Sequence, residues 1–261
     1  MSTPAVLEHR SRELPRPVPL AGGIACEVWW ARIDDQHDRL LALLDPTEQW
    51  RRGNFRRSED RARFTVGATL LRLASARLLR CSPIELVFAR ECPDCGRPHG
   101  RPTLPGHDLH LSVSHAGEII VVALSPDAEI GVDVEKVDDD KPPRLVKRVL
   151  DADEMNRFLA TPKAEQAEEF FRAWTRKEAM LKATGQGLRL PMNAVGFAPD
   201  GRLTSYPDRP DLPVGTTMFD LDTAAYLPSR SCVSYRAALA VLSPLPAVVT
   251  HYHARGLLHS W

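Results

Sequence analysis

Residues 130–135 read Ile-Gly-Val-Asp-Val-Glu, and this short stretch restricts the fold more than any other. In an extended strand Ile130, Val132 and Val134 share one face, so Asp133 and Glu135 project side by side from the other. Like charges at that spacing repel, and a strand interior is a poor setting for either acid. Two arrangements remove the conflict. Either the acids stand on a solvated face, or a hard divalent cation lies between them. Oxygen ligands at i and i+2 suit Mg²⁺ and leave positions for water and a substrate phosphate.

A third carboxylate comes from Ala164 to Ala183, where the 3.6-residue period predicts a helix with Phe170, Trp174 and Leu181 along its apolar stripe. Glu178 falls one turn after Trp174, on the edge of that stripe, with Lys182 one turn further. A surface Glu178–Lys182 pair is worth only a few tenths of a kcal/mol. It does not explain a carboxylate beside a tryptophan, which is costly unless paired or metal-bound. Lys177 points about 100° away from Glu178 and is open to a structural or a partner-facing role.

The order of elements predicts an α+β chain. Ile24 to Ile33 reads as a strand, Gln36 to Leu44 as a helix stopped by Pro46, and Glu59 to Arg80 as a long helix with Phe64, Leu71 and Leu78 on its apolar stripe. A loop dense in Pro, Gly and Cys follows from Glu91 to Gly106. His110 to Ser114, Ile119 to Leu124 and Ile130 to Glu135 then read as an antiparallel meander, with a turn at His115 to Glu118. The second half offers a helix from Leu145 to Leu159, broken near Asp151, then the helix ended by Gly185 and Gly187, and strands at Thr216 to Leu221 and Cys232 to Leu242. Each half therefore supplies helices and a small antiparallel sheet. The order of elements suggests two pseudo-duplicated subdomains with a cleft between them, at 21–128 and 129–245. A flexible tail is expected at 1–20 and another at 246–261.

The 261 residues carry 34 basic and 34 acidic side chains, a net charge of zero that argues against a nucleic-acid binder. The charge is unevenly spread. Nine arginines lie between Arg51 and Arg80, and seven acids lie between Asp127 and Asp140. These are either two solvated faces or a phosphate-binding arginine cluster facing a metal-binding acidic strand. No apolar run of about 18 residues is present to span a membrane, and the N-terminus lacks the apolar core of a signal peptide. Five cysteines, an odd number in a long chain, favour reduced thiols and a cytoplasmic location. Cys92, Cys95 and His99 resemble half a zinc site, for which His107 or His110 is a fourth ligand. The alternative is a tight loop leading into Gly100-Arg101-Pro102.

Gly131-Val132-Asp133-Val134-Glu135, followed by Trp174-Thr175-Arg176-Lys177-Glu178-Ala179, resembles the paired motifs of the 4'-phosphopantetheinyl transferases. Ser112-Val113-Ser114-His115 is similar to that family's motif preceding the acidic strand, and Gly100-Arg101-Pro102 to its Gly-Lys-Pro element. The likeness runs from about Pro46 through Leu190 and is closest to the long Sfp-type branch. It implies a monomer of two similar halves with coenzyme A bound between them and apo acyl or peptidyl carrier proteins as partners. By the same resemblance Asp133, Glu135 and Glu178 are the Mg²⁺ ligands, and Lys182 contacts the phosphates. Ser114 and His115 hold the nucleotide phosphates, Arg101 lies near the adenosine 3'-phosphate, and Glu154 is a further acid near the metal. Arg51 and Arg63 align with basic positions of the family. Glu178 is the candidate base for the carrier serine, because a semi-apolar setting raises carboxylate basicity. Two positions depart from the pattern: Ser112 replaces the usual asparagine, and Arg101 the usual lysine. Three rival readings remain: a catalytically silent coenzyme A- or carrier-binding protein on the same fold, a different Mg²⁺-dependent coenzyme A or nucleotide enzyme (disfavoured by the absence of P-loop and Rossmann glycines), and a zinc-loop interaction module.

Overall fold

The computed structural model describes residues 23–138, 143–227 and 233–261; the expected tail at 1–20 and the start of the strand at Cys232 lie outside them. The protein is a mixed α+β chain with several small sheets. Nine strands are described: β1 (Ile24–Arg32), β2 (His110–Ala116), β3 (Ile119–Ser125), β4 (Glu129–Lys136), β5 (Gly196–Phe197), β6 (Leu203–Ser205), β7 (Thr217–Asp220), β8 (Tyr235–Leu242) and β9 (Ala247–His253). The helices are α1 (Pro46–Gly53), α2 (Ser58–Leu79), α3 (Pro143–Val149), α4 (Ala152–Ala160), α5 (Gln166–Ala183) and α6 (Arg255–His259). No described helix is long and apolar enough to cross a membrane.

One sheet runs β2-β3-β1-β9, a second runs β4-β8-β7, and β5 and β6 form a separate pair. Their apolar faces meet. Val28 and Trp30 of β1 and Ile119 and Val121 of β3 share a core with Ile130, Val132 and Val134 of β4 and Leu239 of β8. The other face of the first sheet, with Trp29, Ile120 and Val122, packs on α2 through Val66, Leu70 and Ala74. Ala238 and Ala240 of the second sheet pack on α5 through Phe170, Met180 and Leu181. The order is therefore helix, sheet, sheet, helix. Both faces of β1 and β3 are covered, which explains their unbroken apolar runs.

The structure corrects several local expectations. Residues 36–44 form a 3₁₀ helix at Asp38–Leu43, not an α-helix. The helix lies just beyond, at α1, where Asp45 caps the Glu48 N–H, the Glu48 side chain returns to the Asp45 N–H, and Pro46 takes a first-turn position. The break near Asp151 is an N-cap of the same kind, with Glu154 as the reciprocal partner. The meander does not form: β2 and β3 pair, but β4 crosses to β8 in the second sheet. His115 belongs to strand β2, and the turn begins after it, at Gly117 with φ of +52°. The segment after Pro246, expected as a tail, contributes β9, which pairs in parallel with β1, and α6, whose Leu258 is buried in the first core.

Candidate active site

The apolar face of β4 is committed to the core between the sheets, so Gly131, Asp133 and Glu135 are presented to α5. Strand and helix touch through their backbones. A β-carbon on Gly131 would lie 2.0 Å from the Ala179 carbonyl oxygen and 2.4 Å from the Ala183 nitrogen. This approach sets Glu178 and Lys182 beside the strand acids. Lys182 Nζ donates to Asp133 Oδ1 at 2.7 Å and to the Val132 carbonyl at 3.1 Å. From the neighbouring edge of the first sheet, Ser114 Oγ donates to the same Asp133 oxygen at 2.8 Å, and Ser112 Oγ accepts the Val132 N–H at 2.9 Å. Asp133 is buried, and its Oδ2 has no hydrogen-bond partner.

Burial, the Asp133 charge and, more weakly, Glu178 push the Glu135 carboxyl up to about 7, against the opposing pull of Lys182. Glu178 is raised as well, by burial first and Asp133 second. The Trp174 indole N–H lies near Glu135 without closing a hydrogen bond of normal geometry. An orphaned buried carboxylate oxygen flanked by two carboxyls that resist ionisation fits a hard divalent cation bound by oxygen. Asp133, Glu135 and Glu178 lie close enough to act on one another's charge, although their oxygens do not all converge within 4.8 Å.

Beside this group opens a cavity of about 670 Å³ walled by Arg90, Arg101, Lys182, Arg189 and Ser112. Arg101 Nη1 donates to the Ala183 carbonyl at 2.9 Å, which ties the loop to the end of α5. Arg90 carries an unpartnered buried Nε, and burial together with neighbouring Arg51 lowers its pKa to about 10. Arg51 itself stacks over Phe64 at 5.1 Å and is not among the residues that wall the cavity. Arg63 donates to the Gly117 carbonyl at 3.1 Å and to Asp60 at 2.6 Å. Surrounding atoms, then Arg63 and Lys182, lower the His115 pKa, although the residue keeps solvent exposure.

Two expectations change. Ser114 is buried with its hydroxyl committed to Asp133, so it positions a carboxylate and does not reach into the cavity. Glu154 does not join the acidic group. It pairs with the fully buried Lys177 at 2.5 Å and accepts from the Phe197 N–H at 3.3 Å, and Lys177 also donates to the carbonyls of Val149 and Met192. Lys177 is thus structural. Arg90 and Arg189 were not anticipated, since neither sits in a pattern that distinguishes it from the chain's other arginines.

The sequence model of the 4'-phosphopantetheinyl transferase superfamily matches residues 129–222, the segment that carries β4 and α5. The chain is 30% identical over 173 residues to a 4'-phosphopantetheinyl transferase of Bacillus subtilis, covering 65% of this chain and 73% of that one. It is 28% identical to the 4'-phosphopantetheinyl transferase Sfp of the same organism, covering 65% and 74%. To the 4'-phosphopantetheinyl transferase HetI of a Nostoc species it is 31% identical, covering 67% and 75%. Fold, site and likeness together define an enzyme of the transferase class. Within that class, the chain belongs to the 4'-phosphopantetheinyl transferase superfamily, in its Sfp-type branch.

Proposed function

We propose that this protein transfers the 4'-phosphopantetheine group of coenzyme A to a serine of an acyl or peptidyl carrier protein, with Mg²⁺ required and 3',5'-ADP released. The observation that carries the reading is Asp133: one oxygen is held by Lys182 and Ser114, the other is buried and free, and its partner Lys182 lines a cation-walled cavity. Asp133, Glu135 and Glu178 would hold the metal. A Mg²⁺ ion held by these carboxylates would supply charge neutralisation for the pyrophosphate.

The protein's own groups supply the remainder. Lys182, Arg101, Arg90 and Arg189, the cations that wall the cavity, receive the phosphates of coenzyme A. His115 and Arg63, at the turn end of β2, offer further donors on the same side as Lys182. Glu178 takes the proton of the carrier serine, and burial, which raises its pKa, makes it a stronger base than an exposed glutamate. The serine oxygen forms a bond to the β-phosphorus while the bond from that phosphorus to the bridging oxygen breaks. The electron pair leaves on 3',5'-ADP, whose charge the arginines and Lys182 stabilise.

The halves 21–128 and 129–245 act as pseudo-duplicated subdomains about this cleft, each built from one long helix, α2 or α5, on its own sheet. Strand β9 returns from the chain's end to complete the first. We further propose that the protein works as a cytoplasmic monomer. The reading is tested by supplying coenzyme A, Mg²⁺ and an apo carrier domain and following 3',5'-ADP by chromatography. One equivalent of 3',5'-ADP per carrier is expected. Coenzyme A binding without release, across peptidyl, polyketide and fatty-acid carriers, would instead identify a silent binding protein.

A further inference from the structure

Neither the fold nor the proposed transfer accounts for the arrangement of residues 92–99. Cys92, Cys95 and His99 each bring one ligand atom within 4.8 Å of the other two, and Cys95 Sγ lies 3.0 Å from His99 Nε2. The backbone is wound to allow this. The Gly96 N–H donates to the Cys92 carbonyl at 2.8 Å, and the Cys92 N–H to the Arg97 carbonyl at 2.9 Å. Gly96 follows the second cysteine at φ of +67°, a left-handed conformation that glycine adopts without penalty. Backbone N–H groups of Asp94 and Cys95 donate to the Cys92 sulfur, as outer-shell donors do for metal-bound thiolates.

The donor chemistry selects the ion. Two thiolates and an imidazole suit a borderline-soft tetrahedral cation and not Mg²⁺, which takes oxygen ligands. We propose that Cys92, Cys95 and His99 form a zinc site separate from the carboxylate group on β4 and α5. The fourth position falls to water or to the Asp94 carboxylate, 4.0 Å from the Cys92 sulfur. Neither His107 nor His110, the two alternatives the sequence offered for a fourth ligand, is part of the group. The site lies in the wall of the cavity, since Cys92 and His99 line it and Arg101 follows two residues on. Zinc therefore fixes the loop that presents Arg101, while Asp94 reaches across to Arg189 at 3.4 Å on the other rim.

The test is metal content, which does not depend on catalysis. The full chain, purified under reducing conditions without chelator and dialysed against one equivalent of zinc, should retain one zinc per chain by elemental analysis. Its cobalt-substituted form should show thiolate-to-cobalt charge-transfer absorption. Cys95→Ser and His99→Ala, checked for folding by circular dichroism, should lose zinc by tenfold or more in affinity, whereas Asp133→Ala should keep it. Absence of bound zinc, a Cys92–Cys95 disulfide in the reduced preparation, or zinc undiminished in Cys95→Ser would overturn the assignment. None of these results bears on carrier modification, so the two readings fail separately.

Discussion

Gly131 of β4 and Ala179 of α5 meet backbone to backbone, with the Ala179 carbonyl 2.0 Å from where a Gly131 β-carbon would stand. No side chain larger than hydrogen fits. The contact explains why a glycine precedes the acidic pair, since it lets Glu178 and Lys182 reach Asp133 from the helix. Gly131→Ala should destabilise the protein by about 1–3 kcal/mol through overpacking and should weaken Mg²⁺ binding. Denaturant unfolding and magnesium titration would check this. Wild-type values for both would mean that the close approach does not shape the site.

Ser114 holds Asp133 from the opposite sheet. Ser114→Ala should leave coenzyme A affinity without Mg²⁺ nearly unchanged. The Mg²⁺ concentration giving half-maximal activity should rise about tenfold, the usual cost of losing a donor that orients a metal ligand. A uniform loss of coenzyme A binding, with no change in metal dependence, would show that Ser114 contacts the nucleotide instead.

Lys177 and Glu154 form a buried pair away from the acidic group. Lys177→Met should cost about 3–5 kcal/mol because it strands a buried carboxylate, and a second change, Glu154→Gln, should recover part of that. Specific activity per folded molecule should stay near wild type in the double variant. Loss of Mg²⁺ dependence there would restore Glu154 to the metal's surroundings.

The Glu135 carboxyl, raised to about 7, gives the metal-free protein a defined response to pH. The folded state keeps a proton that the unfolded chain has already released, so the folded state binds more protons between the usual glutamate range and about 7. Stability of the metal-free protein should therefore fall as pH rises through that window. Mg²⁺ should reverse the fall, and its binding should tighten with rising pH and release protons. Thermal melting across this range, with EDTA and with Mg²⁺, reads both effects. Metal-free stability that rises through the window would contradict the assignment of a raised carboxyl here.

The placement of the acidic side chains was legible in the sequence wherever it depended on local periodicity. Alternation placed Asp133 and Glu135 on one face, and helical spacing placed Glu178 and Lys182 one turn apart. The partners were not legible, because they come from elsewhere in the chain. Sequential strands with short loops usually pair, yet β4 pairs with β8, more than a hundred residues later. Helix α1 carried a readable capping box in Asp45 and Glu48, which the stop signal of Pro46 obscured. Strand β9 had β-branched residues at Val248, Val249 and Thr250, but only the approach of β1 gives that segment a place. Arg90 and Arg189 gain their meaning from the cavity alone.

The most direct test of the central claim is the intact mass of an apo carrier domain after incubation with this protein, coenzyme A and Mg²⁺. The carrier serine should gain one phosphopantetheine, an addition abolished by EDTA and by Asp133→Ala, and reduced at least a hundredfold by Glu178→Ala, the combined cost of a metal ligand and a general base. Transfer that persists undiminished in Asp133→Ala, or that ignores EDTA, would contradict it.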